Sequence, residues 1–110
     1  MDKATLDFLF QLLETPSPSV FEQAIQRVVK KRVARYADEV QLDVHGNLIA
    51  TCNPKGSVRV MLAGHCDQIG MMVTYIDDKG YLTVQQIGGI DASVVPGSNV
   101  TIYTREGPVH

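Results

Sequence analysis

The sequence predicts an α/β unit that gives way, near residue 69, to a β-rich unit. Three observations carry this. Apolar residues repeat at helical spacing up to about residue 36. The period then switches to two. After Gly70, β-rich runs alternate with glycine turns and no helical pattern returns.

Leu6, Leu9, Phe10 and Leu13 fall at i, i+3, i+4 and i+7, which predicts an amphipathic helix. Asp2 is its N-cap. Thr15-Pro16-Ser17-Pro18 stops it near Glu14, because proline lacks the N–H and restricts its predecessor. Ser19 with Glu22 three residues on reads as a capping box for a second helix. Phe21, Ile25, Val28, Val29 and Tyr36 mark its inner face. Lys30, Lys31, Arg32 and Arg35 cluster in its last turns. In a chain of net charge -2 they read as a solvated face complementing the helix dipole.

Val40, Leu42 and Val44 alternate with polar residues as a strand. His45-Gly46-Asn47 turns the chain, and residues 48–52 return. His45 reads as a turn residue. Val58 to Ala63 form an apolar run short enough to be a strand buried on both faces, ending at Gly64. Helices packed on a sheet of residues 39–52 and 57–64 are therefore expected. Beyond Gly70, residues 71–76 and 81–87 read as a hairpin across Asp77-Asp78-Lys79-Gly80. Residues 99–103 read as a further strand.

The 110 residues, 45% hydrophobic and 20% charged, suit a soluble globular chain. The weak net charge and absence of a basic stripe argue against nucleic acid as a partner. No apolar run is long enough for a membrane span. Cys52 and Cys66 sit in no CxxC array, which excludes a zinc knuckle and points to reduced thiols in the cytoplasm. Cys66 beside His65 is not a nucleophile pair, because neighbouring side chains on an extended chain diverge.

His65-x-Asp67 follows the apolar run, where open α/β sheets place chemistry. A neutral imidazole binds a divalent metal. A carboxylate on its other nitrogen fixes the tautomer and raises basicity. As a bare pattern this is one ligand of a site that needs at least three.

Residues 62–73, Leu-Ala-Gly-His-Cys-Asp-Gln-Ile-Gly-Met-Met-Val, resemble the "AHMDEIGFMV" segment of the glutamyl and deblocking aminopeptidases, which include tetrahedral aminopeptidase. Some members of that family are described as endoglucanases. Residues 15–22 look like the family's "PSPSGFE" helix entry, and residues 43–50 are similar to its "D..GNLIA" hairpin. Residues 87–91 and 95–100 look like its "IGGWD" and "LPGQRV" turns.

The resemblance implies a dinuclear metallo-aminopeptidase acting on peptides, with two zinc or cobalt ions activating a bridging water. It implies that His65 is a metal ligand and Asp67 its orienting carboxylate. It also implies that residues 1–68 begin a zinc-peptidase-like catalytic domain and 69–110 begin an inserted β-rich dimerisation domain, hence a homo-oligomer. Gln68 replaces the family's glutamate after the aspartate. One of the family's five metal ligands is present and the chain stops inside the inserted domain, so the expectation is that the chain is inactive alone. The alternative is a non-catalytic assembly or binding module using unpaired β edges. A third reading is a small metal-free domain in which His65 and Asp67 simply pair.

Overall fold

A polar cap and a proline break set the first helix as the sequence requires. In the computed structural model, which describes residues 1–110, helix α1 spans Lys3–Glu14. The Asp2 carboxylate accepts from the Thr5 N–H at 2.7 Å, relieving one of the unpaired donors of the first turn. Lys3 and Asp7 pair one turn apart on its exposed face. Helix α2 spans Gln23–Val33 and packs on α1.

The capping box does not form. Glu22 occupies the N-cap without a side-chain cap bond, its carboxylate accepting instead from the Val20 N–H. The Ser19 hydroxyl is directed elsewhere in the fold. Tyr36 lies beyond the end of α2, and the Arg32 guanidinium sits between the Phe8 ring, at 5.2 Å, and the Tyr36 ring, at 5.7 Å.

Three antiparallel hairpins follow. Strand β1 (Glu39–Leu42) pairs with β2 (Leu48–Thr51), β3 (Gly70–Ile76) with β4 (Leu82–Ile87), and β5 (Ile102–Thr104) with β6 (Gly107–Val109). Each is a separate two-stranded sheet. The β1–β2 turn is built by Asp43. Its carboxylate accepts from the backbone N–H groups of His45 and Asn47, both at 2.9 Å, and from the Asn47 amide at 2.8 Å. His45 is a turn residue, as its neighbours predict. The β3–β4 hairpin also matches expectation, with a register irregularity between Val73 and Tyr75. The strand expected at 99–103 starts later, at Ile102, and pairs with a further strand, β6, that the sequence reading did not include.

The expected strand at 57–64 is the main departure. Residues 57–65 make no backbone–backbone hydrogen bond. Val58, Val60 and Met61 are at least 80% exposed, and Leu62 is 94% exposed. The run is apolar as predicted, but neither of its edges finds a strand. A groove of about 1080 Å³ separates it from β2, with Glu22, Gln26 and Val29 at one end.

The chain thus has little core: Ile25 is the one buried hydrophobic residue, and Ser17 the one buried polar residue. Its accessible surface is 9376 Å². A self-contained domain of this mass exposes about 6,000 Å². Its radius of gyration is 17.8 Å, against about 13 Å for a compact domain of this length.

Candidate metal centre

Two loops far apart in sequence meet at the candidate site. The first is residues 16–21, between the helices. The second is residues 65–70, which enters β3. Ser17 is fully buried and makes the central junction. Its hydroxyl donates to the Cys66 carbonyl at 2.8 Å, and its own carbonyl accepts from the Gln68 N–H at 2.8 Å. Burial of these groups is tolerable because both are paired. Pro18 bridges Gln68 in parallel and lies so close to Gly70 that a Cβ there would sit 2.9 Å from the Pro18 Cβ.

This junction aims the side chains of the second loop. His65 Nδ1 lies 2.8 Å from Asp67 Oδ1. The Ser19 hydroxyl donates to Asp67 Oδ2 at 2.7 Å. Both carboxylate oxygens are therefore engaged, one by each loop. The Ser19 hydroxyl, and next the His65 ring, hold the Asp67 carboxyl below its ordinary value. An ionised carboxylate only accepts, so a neutral His65 must carry its proton on Nδ1. Nε2 is left with its lone pair and no partner in the chain. The His65 side chain is 85% exposed, whereas Asp67 is 40% exposed. That is the donor arrangement a divalent metal takes from histidine.

Cys66 sits between these residues but faces away. Its sulfur accepts from the Gln26 amide at 3.6 Å, and burial, then the Glu22 and Asp67 charges, push its thiol up. The half-buried thiol is thus held in its protonated form, not as a nucleophile beside His65. Both cysteines are free.

The sequence-predicted pair, His65 and Asp67, comes together. No group of three or more histidine, cysteine, aspartate or glutamate side chains is assembled for a metal. His65 fits a metal as one ligand, with its carboxylate partner in place, and the chain brings no second ligand to it. Sequence reading missed Ser19, which it assigned to a helix cap, and Ser17. Neither spacing nor polarity marks a serine as the partner of a residue 48 positions away.

The family model described as M42 glutamyl aminopeptidase matches residues 46–110. This chain belongs to the M42 glutamyl aminopeptidase family. The lysyl aminopeptidase of Pyrococcus furiosus is 37% identical over 103 residues, covering 92% of this chain and 29% of that protein. The glutamyl aminopeptidase of Lactococcus lactis is 32% identical, covering 87% of this chain and 28% of its own length. In three dimensions the chain superposes on a crystal structure of a TET aminopeptidase from a marine sediment archaeon, Thaumarchaeota archaeon SCGC AB-539-E09. The TM-score is 0.92 at 33% identity, over 97% of this chain and 30% of that one. The α/β fold read from the sequence is thereby established as the fold of an M42 portion. The chain spans less than a third of the length of these relatives.

Proposed function

We propose that the chain is the N-terminal portion of a dinuclear, metal-dependent aminopeptidase that removes N-terminal residues from peptides. His65 is a metal ligand and Asp67 the carboxylate that orients it. The observation that carries this reading is the Asp67–His65 hydrogen bond at 2.8 Å, which leaves Nε2 free and exposed. Two divalent ions, zinc or cobalt, supply Lewis acidity and an activated water to such a site when bound. What this chain's residues do is narrower. Asp67 fixes the tautomer and holds the ring, and His65 offers one lone pair. With one ligand assembled, the chain by itself is inactive.

On this reading residues 1–68 belong to the catalytic domain and 69–110 open a β-rich domain used in a homo-oligomer. The named TET relative supports an assembled enzyme. A cytoplasmic setting is supported by the two free cysteines, and no helix is long and apolar enough to cross a membrane. The relatives carry both lysyl and glutamyl names, so the family name does not fix a residue preference. A second reading, a non-catalytic assembly or binding module, is favoured by one feature: the unpaired apolar run at 58–62.

The test joins residues 1–110 to the remaining portion of the Thaumarchaeota TET aminopeptidase. Bound zinc and cobalt and hydrolysis of amino-acid anilides are measured with and without His65→Ala. Metal uptake and hydrolysis that both fall in the variant support the aminopeptidase. If neither changes, His65 is not a ligand. Hydrolysis by the 110-residue chain alone would overturn its inactivity.

A further inference from the structure

We propose that Ser19 is a positioning residue for metal ligation at His65, acting through Asp67, and that the Ser17–Pro18 junction exists to deliver it. The proposal rests on the reading of His65 as a ligand. Its observations are independent of any metal. Asp67 offers two carboxylate oxygens, and each takes one partner: Oδ1 the His65 ring and Oδ2 the Ser19 hydroxyl.

A carboxylate held by one hydrogen bond can rotate about its Cβ–Cγ bond and swing the imidazole with it. A second hydrogen bond on the opposite oxygen removes that freedom. The second anchor comes from a different loop, so it also fixes where the pair sits relative to the helices. That loop is itself pinned by the Ser17 hydroxyl on the Cys66 carbonyl and by the Gln68 N–H on the Ser17 carbonyl. Both bonds flank Asp67, at positions 66 and 68.

The conformation of the first loop points the same way. Phe21 N–H donates to the Pro18 carbonyl at 2.8 Å, closing a turn in which Val20 has φ 69°. A β-branched residue is rarely found there. The backbone accepts this conformation while placing Ser19, the residue before it, on Asp67. Such local cost concentrates where geometry matters for function.

The consequence is read without metal, on the chain itself. Above the ordinary histidine pKa of about 6.5, ¹⁵N NMR of the neutral rings distinguishes protons on Nδ1 from protons on Nε2. His65 in the wild-type chain should carry its proton on Nδ1. His45, whose ring has no partner in the chain, serves as the unheld reference in the same spectrum. Ser19→Ala should move the His65 tautomer ratio toward that of His45. Ser19→Thr, which restores the hydroxyl, should return it. The helical circular dichroism should be equal in all three.

The proposal is overturned by any of three results: wild-type His65 resembling His45, a Ser19→Ala ratio equal to wild type, or no rescue by threonine. A parallel loss of helix in Ser19→Ala that Thr repairs without restoring the tautomer likewise assigns Ser19 a structural role and overturns it. Failure here leaves the metal-uptake test of His65→Ala untouched, so the two readings fail separately.

Discussion

Val20→Gly should stabilise the chain, although it removes a side chain. Val20 has φ 69° in the turn that presents Ser19. An L-residue in that region costs roughly 1–2 kcal/mol, and a β-branched one belongs at the upper end. Glycine removes this cost but loosens the unfolded chain, by about 0.4–1 kcal/mol. The valine side chain is 75% exposed. Losing the remaining quarter of its burial costs about 0.4 kcal/mol. The balance favours glycine by about 1 kcal/mol. Glycine also matches the "PSPSGFE" pattern that residues 15–22 resemble. Thermal and urea unfolding followed by helical circular dichroism give the measurement. Val20→Ala is the internal control: it keeps the Cβ that creates the cost, so it should recover less than half of the gain. A lower midpoint for Val20→Gly, or equal gains from Ala and Gly, would refute the argument from backbone conformation.

Gly70→Ala should break the loop junction, because the new Cβ would lie 2.9 Å from the Pro18 Cβ. Overpacking of that kind costs about 1–3 kcal/mol, and faster hydrogen exchange at the Gln68 amide should report it. Acid should loosen the β1–β2 turn. The Asn47 side chain, then its backbone N–H, lowers the Asp43 carboxyl below 3.8. A lowered folded value means stability that is complete above the unfolded pKa of about 3.9 and is lost as pH falls through the folded value. The His45 and Asn47 amide resonances should therefore titrate together with a midpoint below that of an ordinary aspartate, and a midpoint at or above the ordinary value would contradict the turn geometry. Finally, Leu62→Lys should reduce self-association, since the residue is 94% exposed in an unpaired apolar run. Sedimentation velocity checks this, and unchanged association would locate the sticky surface elsewhere.

The elements legible in sequence are those stabilised by their own residues. Helix α1 carries its cap at Asp2 and its stop at Pro16, and both are local. The Asp43 turn and the β3–β4 hairpin are likewise decided within a few residues. Two expectations failed where a distant partner decided the outcome. The run at 58–63 has the composition of a buried strand, but a strand needs neighbours, and composition cannot say whether the same chain provides them. Ser19 has the spacing of a helix cap, but its hydroxyl is taken by a carboxylate 48 residues away, and Glu22 serves the turn instead. At the site, His65 and Asp67 were legible because they are two residues apart. The serine that completes them was not.

The junction between the two loops also shows what holds the candidate ligand in a chain with so little core. Bringing residue 19 to residue 67 closes a loop of 48 residues. The length-dependent entropy of that closure is roughly 3 kcal/mol. The two hydrogen bonds of buried Ser17 return about 2 kcal/mol. They fall short alone by about 1 kcal/mol, so the loop must be partly closed before they form. The contacts of α2 with β2 do this, for both elements lie inside the same span of chain. Ile25, the single buried hydrophobic side chain, sits on α2 and flanks the pocket that Leu9, Leu12 and His65 also line. The core is thus placed where it closes the loop that carries the ligand. The unpaired run at 58–62 leads from the turn after β2 into that ligand, so whatever strand comes to pair with it would act on the His65 geometry.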